Sequence, residues 1–351
     1  MSRNLFPLSL AASLMAGTAM ADVPRVAVDI APVHSLVARV MQGVGEPNLI
    51  VQPGASPHEY SLRPSEAAAL QEADLVFWIG EDLAPWMEGA VETLAGDADV
   101  TTLLEADGMT LLDFRENALF EAHSHGDDDD HGHEDHAEDA DHDHEEHAED
   151  DHDHDGEHDE HADDHDHDHE DHADDDHDHA HGDHDPHVWL SPRNAAVWLN
   201  VIAAELSAAD PENAGTYYAN AAEAREELDA LVAEVNETLD PLRGMRFVVF
   251  HDAFQYFEAD FDFAASGAIS VADAADPSPA RIAEIQGRIA EEGIQCVLSE
   301  PQFDRGLVAT VMDGTEANTA VLDPLGSDLE PGPDLYPQLI RNLANSLSEC
   351  L

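Results

Sequence analysis

The sequence lacks lysine altogether, and its 13 basic residues are all arginine. They are outnumbered by 78 aspartates and glutamates, so the formal net charge at pH 7 is −65. Proteins bind the phosphates of nucleic acids with lysine and arginine, and a chain this acidic is repelled by them. We therefore expect no nucleic-acid partner.

Long apolar runs are also missing, and residues 1–21 contain the only candidate for a targeting segment. Arg3 precedes an apolar run over residues 5–15, and the Ala-Met-Ala of residues 19–21 suits signal peptidase. The run is too short to span a bilayer comfortably. No cysteine follows that could carry a lipid anchor. We expect a signal peptide cut after Ala21 and a mature protein free in the periplasm, without membrane-spanning segments.

Cysteine is scarce, with Cys296 and Cys350 the only two in the chain. In an oxidising compartment such as the periplasm, two exported cysteines form a disulfide by default. The alternative is a pair of buried free thiols.

Residues 123–184 contain no arginine but hold 20 of the 24 histidines and 31 acidic residues. No packed core can form from this histidine-rich tract, so we expect a disordered loop. Imidazoles and carboxylates at this density capture divalent metal reversibly, and zinc is the favoured ion. The alternative is a solvated acidic linker, although ordinary linkers of that kind are not one-third histidine.

The remaining sequence alternates short β-rich runs with helical stretches, a pattern typical of parallel α/β units. Strands are predicted at residues 25–30, 47–51, 75–79, 100–104, 246–250, 263–271, 295–299 and 320–322. Helices are predicted at residues 34–42, 64–72, 81–94, 191–207, 278–292, 305–314 and 334–347.

A long helix is predicted between the two sets of units. Asp210 can cap it, Pro211 suits its first position and Pro241 ends it. Apolar residues recur along it at spacings of three and four, so one face is buried along its whole length. We interpret residues 208–242 as a stiff linking helix; the alternative is an ordinary surface helix of the second lobe.

The predicted fold is therefore α/β, with two (β/α)4 lobes whose parallel sheets are joined by a long rigid helix. The first lobe takes residues 22–207, with the tract as an insertion, and the second takes residues 243–351. A cleft separates the lobes.

Four histidines lie outside the tract: His34, His58, His187 and His251. His58 follows one predicted strand and His251 ends another, and ligands of open α/β sheets bind beyond the carboxyl ends of strands. His187 lies between the tract and the next helix. We expect these three to converge on one metal in the cleft. A capped or hydrogen-bonded side chain is the alternative for any one of them, and His34 is expected to be a helix-start residue and not a ligand.

Three neutral imidazoles favour Zn²⁺ and leave a fourth position for water or a carboxylate, whereas Mn²⁺ prefers more oxygen ligands. Two carboxylates are candidates for that position or for orienting a ligand. Asp323 follows the predicted strand at residues 320–322, and Glu59 is next to His58.

Four motifs together resemble a known family: Gly-Ala-Ser-Pro-His-Glu-Tyr at 54–60, Asp-Pro-His-Val-Trp-Leu-Ser-Pro at 185–192, Phe-His-Asp-Ala-Phe-Gln-Tyr-Phe at 250–257, and Leu-Asp-Pro-Leu-Gly at 322–326. They are similar to those of the ZnuA-like zinc-binding proteins of ABC importers, members of the cluster A-I solute-binding family. The resemblance implies two α/β lobes joined by a rigid helix, a histidine-rich loop before the second ligand, and zinc ligands at His58, His187 and His251.

The resemblance also bears on the residues around those ligands. Manganese-selective relatives typically place an acid where His251 stands, so zinc is implied. Some zinc members carry a disulfide at positions like Cys296 and Cys350. The fourth ligand varies within the family between an aspartate, a neighbouring glutamate and water, which leaves Asp323 and Glu59 as alternatives.

The leading hypothesis for function is high-affinity capture of Zn²⁺ in the periplasm by a monomer that is not an enzyme. It would deliver the ion to an inner-membrane ABC permease with a cytoplasmic ATPase, while the tract gathers zinc at weak sites. One alternative is a zinc store or chaperone without a transporter. The other is a zinc hydrolase, but Leu62 stands where a His58-Glu59 zincin helix needs its second histidine.

Overall fold

A computed structural model describes residues 23–115, 184–270, 278–303 and 305–351. The predicted signal peptide lies outside the described residues, and so does the histidine-rich tract except for His184.

The first sheet has buried apolar strands at its centre. Its strands are β1 (Val26–Val28), β2 (Asn48–Leu49), β3 (Leu75–Trp78) and β4 (Asp99–Thr102). All pair in parallel, in the order β2-β1-β3-β4. β1 and β3 are apolar and buried throughout because helices cover both faces of the sheet.

Proline lies in the first turn of each helix that accompanies this sheet. The helices are α1 (Ala31–Val40), α2 (Pro64–Glu72), α3 (Pro85–Leu94) and α4 (Pro192–Ala209). Proline suits this turn because the backbone N–H it lacks has no partner there. Ser191 also caps α4, since its side chain accepts a hydrogen bond from the backbone N–H of Asn194.

The linking helix, α5 (Ala214–Leu239), starts later than predicted. The carboxylate of Asp210 accepts hydrogen bonds from Asn213 and from the Tyr217 hydroxyl, which holds the intervening residues in a turn. The predicted start at Pro211 is therefore wrong by three residues. The buried face is as predicted, with Tyr217, Ala221, Ala224, Leu228, Leu231, Val235 and Leu239 buried.

The second sheet repeats the topology of the first. Its parallel strands are β5 (Phe247–His251), β6 (Ala268–Ser270), β7 (Cys296–Ser299) and β8 (Asn318–Val321), in the order β6-β5-β7-β8. The helices that follow α5 are α6 (Gln255–Phe261), α7 (Pro279–Glu292), α8 (Arg305–Met312) and α9 (Leu335–Cys350). The predicted fold class is thus confirmed: two parallel four-stranded α/β lobes.

The structure departs from the sequence-based expectations at two places in the second lobe. The strand predicted over residues 263–271 is reduced to β6 within residues 263–270, and residue 271 lies outside the described part of the chain. Phe263 lies outside the sheet and stacks its ring on that of Phe247, with 5.3 Å between centroids. Helix α6 was not predicted at all. It has only seven residues, and no side chain caps its N-terminus, whereas its C-terminus ends at Asp262 in the left-handed conformation.

One continuous core joins the lobes. The inner faces of both sheets pack against α1, α4, α5 and α9, while α2 and α3 cover the outer face of the first sheet and α7 and α8 that of the second. Ion pairs tie α5 to both sides: Glu227 binds Arg39 of α1 at 2.8 Å, and Glu234 binds Arg341 of α9 at 2.9 Å. A shared core and a doubly fastened helix disfavour wide opening of the cleft.

The predicted disulfide is present and links Cys296 of β7 to Cys350 of α9. It closes a loop across a sequence separation of 54. In the loop-entropy account this constraint stabilises the fold by about 4 kcal/mol. We expect urea unfolding with a reductant to show a lower midpoint than without it. Equal midpoints, with both thiols shown to be reduced, would contradict a stabilising role.

Candidate metal centre

Three imidazoles meet between the lobes. One nitrogen from each of His58, His187 and His251 lies within 4.8 Å of the others. The Nε2 atoms of His187 and His251 are 3.4 Å apart. Two ligands of a tetrahedral zinc ion with bonds of usual length are separated by about 3.3 to 3.4 Å. The spacing of this pair therefore fits one shared ion.

Each histidine is delivered by a different kind of element. His251 is the last residue of β5, and His187 precedes a short 3₁₀ turn, Val188–Leu190. Both are almost completely buried. His58 is half-buried on the loop between β2 and α2. That loop is fastened by the Trp86 indole N–H, which donates to the Pro57 carbonyl at 2.7 Å.

A buried carboxylate orients each of the two buried histidines. The Nδ1 atom of His187 is 2.7 Å from Oδ1 of Asp185, and Nδ1 of His251 is 2.7 Å from Oε1 of Glu300. Each carboxylate also accepts the backbone N–H of the same histidine. Such pairs keep the proton on Nδ1, so Nε2 is left to face a metal.

The same carboxylates make the site suited to a cation. Asp185 and Glu300 are 1% and 2% exposed. Within the part of the chain described here, Oδ2 of Asp185 and Oε2 of Glu300 are buried without a hydrogen-bond partner. Buried anionic oxygens are costly unless opposite charge is near. A divalent ion at the three imidazoles would supply that charge.

Apolar side chains wall the site. The cavity at the three histidines is also lined by Trp189, Phe303, Pro324 and Leu325. The Phe303 ring lies 5.1 Å from that of His251, and the Trp189 ring lies 5.3 Å from that of His187, between centroids. Walls of this kind limit water access and so strengthen electrostatic interactions at the metal.

Neither carboxylate predicted for the fourth position belongs to the three-histidine group. Asp323 instead closes a turn, since its oxygens accept hydrogen bonds from the backbone N–H of Leu325 and Ser327 and from the Gln302 amide. Glu59 is exposed. A fourth ligand from either residue stays a prediction that would require local rearrangement.

His34 lies in α1, outside the group. Its Nε2 is 3.1 Å from the Pro47 carbonyl oxygen, and burial lowers its pKa. Asp29 lies just after β1 at the carboxyl end of the first sheet. Its carboxylate accepts the backbone N–H groups of Ile30 and Ile79, and burial raises its pKa to about 7.

Sequence reasoning missed the roles of Asp185 and Glu300. The role of Asp185 could have been predicted, because a carboxylate two residues before a histidine can hydrogen-bond to its ring. Glu300 follows β7, which pairs with β5, so it lies at the same sheet edge as His251. That neighbourhood depends on the strand order.

Buried hydrogen bonds between the lobes fix the cleft. The Trp189 indole N–H donates to the Pro324 carbonyl at 2.8 Å. The Tyr336 hydroxyl of α9 donates to the Trp189 carbonyl at 2.8 Å, and the Tyr336 backbone N–H donates to Ser35 of α1 at 2.9 Å. These contacts oppose a wide separation of the two lobes.

Comparison with known proteins agrees with this architecture. The family model described as "Zinc-uptake complex component A periplasmic" (ZnuA) matches residues 26–350. The chain is 46% identical to the high-affinity zinc uptake system protein ZnuA of Brucella abortus, covering 99% of each chain, and 44% identical to that of Paracoccus denitrificans, covering 98% of each. A crystal structure of ZnuA superposes with a TM-score of 0.68 at 21% identity, covering 94% of this chain and 99% of the other. The chain therefore belongs to the ZnuA family of periplasmic zinc-uptake components.

Proposed function

We propose that this protein captures Zn²⁺ in the periplasm and delivers it to an ABC permease driven by a cytoplasmic ATPase. The observation that carries the proposal is the convergence of His58, His187 and His251, two of them oriented by buried carboxylates. Relatives with 44–46% identity over almost the whole chain are named high-affinity zinc uptake proteins.

The donor set and the fold suit capture followed by release. Three imidazoles match the preference of Zn²⁺ for nitrogen ligands, and a fourth position is left for water, Asp323 or Glu59. No helix among the described residues is long and apolar enough to cross a membrane. Export would follow from the signal peptide at residues 1–21, and the mature monomer would bind the permease from the periplasmic side.

The histidine-rich tract supports the same function. Its 20 histidines would bind zinc weakly at many sites and raise the local zinc concentration beside His187. The weak sites of the tract would thus gather zinc, and the tight site at the three histidines would capture it.

Growth under zinc limitation tests the proposal. A strain that lacks this protein should grow poorly in chelated medium and take up radioactive zinc slowly. The wild-type gene should restore both, and a gene with His251→Ala should restore neither. Normal growth and uptake without the protein would instead favour a zinc store that serves no transporter.

A further inference from the structure

The two stretches that flank the histidine-rich tract are fastened to each other. We call residues 110–115 the N-terminal flank and residues 184–185 the C-terminal flank. Asp113 and His184 form an antiparallel bridge, and their side chains approach to 3.1 Å. The backbone N–H of Asp185 donates to the Leu112 carbonyl at 2.9 Å. The flanks therefore meet next to the segment that carries His187.

A single buried hydroxyl on α6 holds both flanks. Tyr256 is 1% exposed. Its hydroxyl accepts the Leu112 backbone N–H at 3.0 Å and donates to the Asp185 carbonyl at 2.9 Å. Both hydrogen-bonding functions of one side chain in the second lobe are thus used on the two ends of the tract.

Arg115 fastens the N-terminal flank a second time. Its guanidinium lies 2.7 Å from a carboxylate oxygen of Glu258 on α6 and 3.4 Å from one of Asp252. Both carboxylates are over nine-tenths buried, and removing one partner of a buried ion pair leaves an uncompensated charge. Asp252 directly follows His251.

Each of these contacts is connected to one of the three imidazoles through a single intervening residue. Tyr256 binds the backbone of Asp185, whose carboxylate orients His187. Arg115 binds Asp252, whose backbone continues from His251 at the end of β5. The flanks and α6 therefore set the spacing between a ligand of the first lobe and the ligand of the second.

We propose that Tyr256 and Arg115 are positioning residues of the metal centre. By fastening both flanks of the tract to α6, they hold His187 and His251 at the separation that one Zn²⁺ requires. The inference rests on zinc capture at the three histidines and adds a role for residues that do not touch the ion.

Two variants of the full-length protein test it: Tyr256→Phe and Arg115→Gln. Outer contacts of metal ligands typically change affinity by about 10- to 100-fold, and we expect about 10-fold weaker zinc binding for each variant. Affinity is measured by chelator competition. The visible absorption of bound Co²⁺ reports the ligand geometry and should shift. Arg115→Lys, which keeps the charge, should restore much of the affinity.

The chain offers a matched control for each change. Tyr217 is a buried tyrosine of α5 whose hydroxyl binds Asp210 at 2.9 Å. Arg39 is 11% exposed and binds Glu223 and Glu227. Tyr217→Phe and Arg39→Gln should lower thermal stability but leave zinc affinity and the Co²⁺ spectrum unchanged.

The outcomes separate this inference from the function on which it rests. Wild-type affinity and spectra in both Tyr256→Phe and Arg115→Gln, with a tight site in the wild type, would overturn the positioning role alone. Equal losses of zinc affinity in the two control variants would also overturn it, because they would indicate that destabilisation of the fold alone weakens zinc binding. A wild-type protein without a tight zinc site would overturn the proposed function as well.

Discussion

Replacing His251 by alanine is expected to abolish tight zinc binding. The substitution removes the second-lobe member of the three-histidine group, and the two imidazoles of the first lobe remain. Changes to outer contacts alone cost about 10- to 100-fold in metal affinity, so the loss of a direct ligand should exceed about 100-fold. Isothermal titration of the metal-free protein with Zn²⁺, with a competing chelator for the wild type, measures the difference.

His34→Ala is the matched control for that experiment. His34 is also buried and hydrogen-bonded, but it lies outside the three-histidine group. We expect lower thermal stability with zinc affinity close to that of the wild type. Tight binding that survives His251→Ala, or is lost equally in His34→Ala, would contradict the assignment of ligands.

The second large effect is expected from neutralising the buried carboxylates. Asp185→Asn and Glu300→Gln keep the size of the side chain but remove the charge that holds the proton on Nδ1 of His187 or His251. Each variant should bind zinc about 10- to 100-fold more weakly. The double variant should lose more than either single one, since each carboxylate serves a different ligand. Chelator competition at fixed pH gives the affinities.

Asp210→Asn separates this effect from a general loss of buried charge. Asp210 is fully buried and hydrogen-bonded near the start of α5, and it does not belong to the metal centre. Its variant should be less stable yet bind zinc normally. If Asp185→Asn and Glu300→Gln also bind normally, the carboxylates do not tune the ligands.

Much of the fold could be predicted because its signals are local. Apolar runs such as residues 75–79 are long enough to indicate buried strands, and proline in the first turn fixes the starts of α2 and α4. The positions of His58 and His251 after strands were sufficient to expect their convergence, since parallel strands bring their carboxyl ends to one edge.

What could not be predicted depends on tertiary neighbours. Glu300 is next to His251 because β7 pairs with β5, and only the sheet order reveals this. Helix α6 has seven residues, and its ends are Phe254, without a capping side chain, and Asp262, in the left-handed conformation. Its position is set by contacts with distant segments, as the hydrogen bonds of Tyr256 illustrate. Local sequence patterns do not indicate contacts between residues so far apart in the chain.

The most direct measurement is a crystal structure of the zinc-loaded protein with anomalous diffraction data at the zinc edge. The account predicts that the strongest anomalous peak lies about 2.0 to 2.1 Å from an imidazole nitrogen of each of His58, His187 and His251. A strongest peak bound to a different set of residues, or to fewer than three of these imidazoles, would contradict it.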